Sequence, residues 1–100
     1  MAERNIFEAE RIHMWVKGRV QGVGFRAFAQ QAGVQLSLTG WVRNLGYDTV
    51  EIVAEGPHEK LERFAETVKI GPRAGNVDEA KVEWEPANGE YTSFSVKYNI

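Results

Sequence analysis

The chain has 100 residues, 43% of them hydrophobic and 11% aromatic, with a formal charge of −2 and no cysteine. That suffices for one compact domain with a single modest core and leaves no room for a second. The charge excludes a global positive field that would draw the protein to nucleic acid or an acidic membrane, and the missing thiols exclude disulfides, a thiolate nucleophile and cysteine-based metal centres. The first residues carry Glu3, Arg4, Glu8 and Glu10 without an apolar core of signal-peptide length, and no later stretch is long enough to span a bilayer. Residues 1–9 are expected to form a flexible extension ahead of a domain over residues 10–100.

From Arg11 to Gly18 the residues alternate, with Ile12, Met14 and Val16 on one side and His13, Trp15 and Lys17 on the other, which predicts a strand with one face in the core. His13 lies opposite the apolar set, has no evident carboxylate partner, and reads as structural rather than as an acid–base group. The strand runs into Gly18-Arg19-Val20-Gln21-Gly22-Val23-Gly24-Phe25-Arg26. Glycines at 18, 22 and 24 free the backbone to turn successive N–H groups toward one small target. A helix then begins, and its unpaired N-terminal N–H groups favour negative charge. Arg26 adds a permanent cation with a planar fork of donors suited to phosphate or carboxylate. A cation at the positive end of a helix is locally unfavourable, a mismatch that a bound anion would explain. The stretch therefore reads as a phosphoryl-binding loop.

Phe25, Phe28, Ala29, Ala32 and Leu36 fall at helical spacings, predicting an amphipathic helix of about three turns. Gly33 inside it should cost about 1 kcal/mol relative to alanine, so the helix is either close-packed there or frays early. Trp41-Val42-Arg43-Asn44 is β-prone, Leu45-Gly46-Tyr47-Asp48 is a turn, and Thr49 to Glu55 alternates with Val50, Ile52 and Ala54 on one face, which together predict a hairpin. Leu61, Phe64, Ala65 and Val68 mark a second helix after Gly56-Pro57, with a solvated mixed-charge face. Gly71-Pro72 stops it, and residues 73–78 read as a loop. Ala80, Val82 and Trp84 mark a further strand, and Phe94, Val96 and Tyr98 the last. The tryptophans 15, 41 and 84 read as packing residues, and Arg19 and Arg43 as surface charges. The order β-α-β-β-α-β-β predicts an α+β, ferredoxin-like sandwich: an antiparallel sheet with both helices on one face and a short extra C-terminal strand. Fold alone does not decide function, because this plan serves unrelated chemistries.

The stretch Val16 to Arg26 resembles the first signature of the acylphosphatase family, and Gly40-Trp41-Val42-Arg43-Asn44, followed by Val50 and Gly56, resembles the second. The resemblance covers about residues 10 to 100. It implies metal-independent hydrolysis of carboxyl-phosphate anhydrides to carboxylate and inorganic phosphate, without a cofactor. Arg26 and the backbone of Gln21, Gly22, Val23, Gly24 and Phe25 would hold the phosphoryl group, and Asn44 would position the attacking water. The chain departs from the family pattern at Asp48 and near Ser37, where glycine is usual. The expected partner is a small-molecule acyl phosphate, with no nucleic acid and no membrane, for a cytoplasmic monomer. A non-catalytic phosphoryl- or carbamoyl-phosphate-binding module, like the related domain at the start of a hydrogenase maturation protein, is the alternative. An RNA-recognition domain on the same fold is a third reading, disfavoured because the first strand offers only Trp15 outward and the charge balance is acidic.

Overall fold

The computed structural model describes residues 8–98. Residues 1–7 of the expected N-terminal extension lie outside these. Strand β1 spans Ala9–Arg19 and enters α1, Phe25–Gln35; β2, Thr39–Leu45, and β3, Thr49–Pro57, form a hairpin; α2, His58–Ile70, precedes β4, Asn76–Pro86, and β5, Phe94–Lys97. β1 starts two residues earlier than the alternation suggests because β3 extends to Pro57 and supplies Ala9 with a partner. β4 likewise begins inside the predicted 73–78 loop, where Asn76 and Val77 pair with Arg19 and Gly18 beyond a bulge in β1.

The sheet order is β4-β1-β3-β2-β5. Neighbours among the first four strands are antiparallel, but β5 runs parallel to β2, pairing Gly40 with Phe94 and Arg43 with Lys97. The expectation of an antiparallel sheet is corrected at this edge. β4 and β5 sit on opposite edges, so residues 87–93 cross the end of the sheet and β5 starts where β2 starts. Side-chain alternation reports which face is buried and carries no information on the direction of a neighbour.

Ile12, Met14, Val16, Val42, Val50 and Ile52 cover one face of the sheet with no exposed surface and pack with Phe25, Ala29, Leu61, Phe64 and Val68 of the helices. Gly33 is explained by close packing: a Cβ there would collide with the Phe94 ring, which also lies 5.6 Å from that of Phe64. The Gln30 amide nitrogen donates to the Phe94 carbonyl at 3.0 Å. These contacts seat the short strand β5 against α1 and so build one wall of the cavity described next. Among the described residues, no helix is long and apolar enough to cross a membrane.

Candidate active site

β1, β2 and β5 all end at the same end of the sheet, and α1 starts there. Between β1 and α1 the chain turns through Gly22 at φ 74° and Gly24 at φ 77°, while Val23 between them keeps a negative φ. This alternation of backbone hand turns neighbouring N–H groups to one side, and a side chain at either glycine would be strained. Gly24 is the N-cap of α1; no side chain caps the helix and its first turn contains no acid. The N–H groups of that turn have no intrahelical acceptor. The loop is tied to the β2–β3 turn. Gly18 N–H donates to the Asp48 carbonyl at 3.0 Å, and Gln21 Nε2 donates to the carbonyls of Gly46, 3.1 Å, and Thr49, 2.9 Å. These bonds hold the loop that leads to Arg26 against the hairpin that carries Asn44.

A cavity of about 250 Å³ opens at this junction, lined by Gly22, Gly24, Phe25, Arg26 and Asn44 of the predicted set, with Val20, Ala27, Gln30, Val96 and Tyr98. Phe25 is buried in the core. Gln21 and Val23 do not line the cavity: the Gln21 side chain is committed to the hairpin and Val23 packs against the core. Asn44 shares the helix-facing side of β2 with Val42, two residues earlier, and is half-buried. Arg26 is half-buried; its Nη1 donates to the Lys97 carbonyl at 3.3 Å, and its guanidinium carbon sits 4.6 Å from the centre of the Tyr98 ring. Lys97 at the end of β5 and Tyr98 just beyond it thus hold the cation of the second residue of α1.

The two departures from the family pattern resolve differently. In the hairpin turn Gly46 takes the left-handed conformation, φ 66°, whereas Asp48 has an ordinary negative φ and bonds the Thr49 hydroxyl at 2.9 Å. The left-handed residue of the turn is therefore the earlier glycine, and Asn44 pairs with Val50 across the hairpin. Ser37 does adopt a left-handed φ of 58°, at the end of α1 and far from the cavity.

Gln30, Val96 and Tyr98 escaped the sequence reading. Gln30 had a signal, because it lies one helical turn beyond Arg26 on the same face; Val96 and Tyr98 had none without the pairing of β5. His13 is corrected in one respect, since it does have carboxylate partners. Its Nε2 lies 2.7 Å from Glu51 Oε2 and its Nδ1 3.8 Å from Glu85, and its ring stacks on Trp15 at 3.8 Å. The carboxylates come from neighbouring strands, invisible to local spacing, and the group sits on the face opposite the cavity. Arg43 belongs to the same cluster, its Nε 2.6 Å from Glu51 Oε1. Among the described residues no group of acidic, histidine or cysteine side chains is arranged to hold a metal.

A family profile described as acylphosphatase matches residues 12–96. An acylphosphatase of Thermus thermophilus is 51% identical over 74 residues, which is 74% of this chain and 84% of that protein. The crystal structure of acylphosphatase from Bacillus subtilis superposes with a TM-score of 0.85 at 39% identity, covering 89% of this chain and 99% of that one. Full-length HypF, in a phosphate- and nucleotide-bound form, contains a similar unit: TM-score 0.80 and 26% identity over 95% of this chain but 12% of HypF. By the extent of the family match and the identity to its members, the chain belongs to the acylphosphatase family of enzymes.

Proposed function

We propose that the chain hydrolyses acyl phosphates to a carboxylate and inorganic phosphate, by in-line attack of a water positioned by Asn44 on a phosphoryl group held by Arg26 and the backbone of the loop at Gly22, Gly24 and Phe25. The observation that carries this reading is that Arg26 and Asn44 line one cavity at the uncapped N-terminus of α1. The free N–H groups, the positive end of the helix and the guanidinium together favour the negative charge spread over the equatorial oxygens. Water oxygen bonds to phosphorus while the bond to the acyl oxygen breaks, its electron pair leaving with the carboxylate. That leaving group needs no general acid, because a carboxylic acid has a pKa of about 4. Among the described residues the cavity lining includes no carboxylate, histidine or lysine. The Asn44 amide can orient the water through its donors and acceptor but is not basic. The water's proton therefore passes to an oxygen of the phosphate itself, and the residues supply orientation and charge, the terms that dominate phosphoryl transfer.

Phosphate release from acetyl phosphate in the presence of chelator tests the reading. Arg26→Ala is expected to lower kcat/KM about 10²- to 10³-fold, as loss of one oriented charge donor does elsewhere, and Asn44→Ala to lower kcat with less effect on KM. Near-normal turnover by Arg26→Ala would overturn the assignment. The likeness to one segment of HypF favours one competing reading, a phosphoryl-binding module; wild-type protein that binds inorganic phosphate and releases none from acetyl phosphate would establish it instead.

A further inference from the structure

We infer that the acyl end of the substrate lies along the groove between α1 and β5, that this groove favours uncharged acyl groups over those bearing an anion, and that Gln30 sets the preference. The inference rests on the phosphoryl site proposed above. With a phosphoryl group against Gly22, Gly24 and Arg26 and the water at Asn44, a tetrahedral group fills only part of a 250 Å³ cavity, and the lining beyond it includes Ala27, Gln30, Val96 and Tyr98. None of these is a carboxylate, an ammonium or a guanidinium group. Gln30 lies four residues beyond Arg26, about 6 Å along the helix axis, within reach of the far end of a short acyl chain. The groove is held in shape. Gln30 Nε2 donates to the Phe94 carbonyl, and the Phe94 ring fills the space over Gly33.

Charge decides what such a groove accepts. Among the described residues Arg26 is the one cation in the cavity lining, and the phosphoryl group of the proposed complex engages it. The nearby cations of β2 and β5 point elsewhere: Arg43 is paired with Glu51, and the Lys97 ammonium sits 4.6 Å from the Trp41 ring on the opposite face of the sheet. A carboxylate at the acyl terminus would lose water beside Gln30 and gain no cation in return, while a methyl group there gains contact with Val96 and Tyr98.

Butyryl phosphate and succinyl phosphate, nearly equal in length and different in charge at the far end, make the comparison. Wild-type kcat/KM should favour butyryl phosphate by about tenfold. Gln30→Lys should shrink or reverse that ratio, and the nearly isosteric Gln30→Glu should widen it. Gln35→Lys, an exposed change on the same helix, alters net charge equally and should leave the ratio at its wild-type value. Equal rates for the two substrates, or a ratio that Gln30→Lys and Gln30→Glu do not move, would overturn the inference while acetyl phosphate turnover still supported the phosphoryl site. Loss of turnover of acetyl phosphate by wild type would instead remove the site on which it rests.

Discussion

The two ends of the sheet are built on opposite terms. At the end where β1 begins and β3 finishes, Glu55 is 4% exposed and accepts from Arg11 Nε at 2.8 Å and from the backbone N–H groups of Asn88, 3.2 Å, and Gly89, 3.1 Å. Arg11 Nη2 also reaches Asn88 Oδ1 at 2.9 Å and Glu90 Oε1 at 3.0 Å. Burial works against the Arg11 charge, but the bond and charge of Glu55, with Glu90, outweigh it and leave its pKa raised; Glu90 is held below the ordinary carboxylate range by Asn88, Tyr91 and Arg11. Here the charges answer one another and lock residues 87–93 as they cross toward β5. At the other end α1 has no side-chain cap, and Arg26 is held by one carbonyl and one ring. The difference marks the end of the sheet to which the proposed phosphoryl site is assigned. The locked end pairs its charges internally, whereas the open end presents the uncapped start of α1 and Arg26, which the proposed phosphoryl group would match.

Breaking the locked end gives the largest expected effect on stability. Glu55→Ala leaves Arg11 half-buried without its main partner and removes the acceptor of two backbone N–H groups. The expected cost is about 3 kcal/mol in denaturant unfolding. If the ends are separable, kcat for acetyl phosphate per folded molecule stays near wild type. A loss of kcat with no loss of stability would show that the crossing segment governs the cavity directly.

The link between loop and hairpin is the next target. Gln21→Ala removes two side-chain hydrogen bonds to the Gly46 and Thr49 carbonyls and is expected to cost about 1–2 kcal/mol of stability. Because those bonds hold the loop against the strand that carries Asn44, kcat should fall by more than KM rises. An unchanged kcat would mean that the Gly18 bond to Asp48 suffices to set the geometry.

What the sequence revealed, and what it did not, follows the same division between local and distant contacts. The alternation of Ile12, Met14 and Val16 and the helical spacing of Leu61, Phe64, Ala65 and Val68 are local signals, and the buried faces match them. The cradle was legible because glycines, a helix start and Arg26 stand together in the chain. Asn44 was legible only through the family motif, since an asparagine near a turn has no chemistry of its own to announce. Glu51 and Glu55 read as the polar side of a strand, yet they are 7% and 4% exposed. Their cover comes from Arg11, Arg43, His13 and the 87–93 crossing, all set by strand register. Val96 and Tyr98 reach the cavity for the same reason. Their position depends on a parallel pairing between segments far apart in sequence.

The smallest expected effect tests whether the locked end has slack. α1 closes with a pair of bonds, Ser37 N–H to the Val34 carbonyl at 3.0 Å and Leu38 N–H to the Gly33 carbonyl at 2.9 Å, the helix stop that normally places glycine in the left-handed position. Ser37 occupies that position at φ 58°, and among the described residues it is the only non-glycine with a positive φ. The left-handed conformation costs an L-residue about 1–2 kcal/mol, while glycine gives part of this back through a more flexible unfolded chain. Ser37→Gly should therefore stabilise the protein by about 0.5–1 kcal/mol, read as a higher denaturant midpoint at constant slope. Ser37 is exposed and does not line the cavity, so kcat and KM for acetyl phosphate should stay at their wild-type values. A stabilised variant with altered kcat would mean that strain at the end of α1 is transmitted to its start, and the two ends of the fold could no longer be treated as independent.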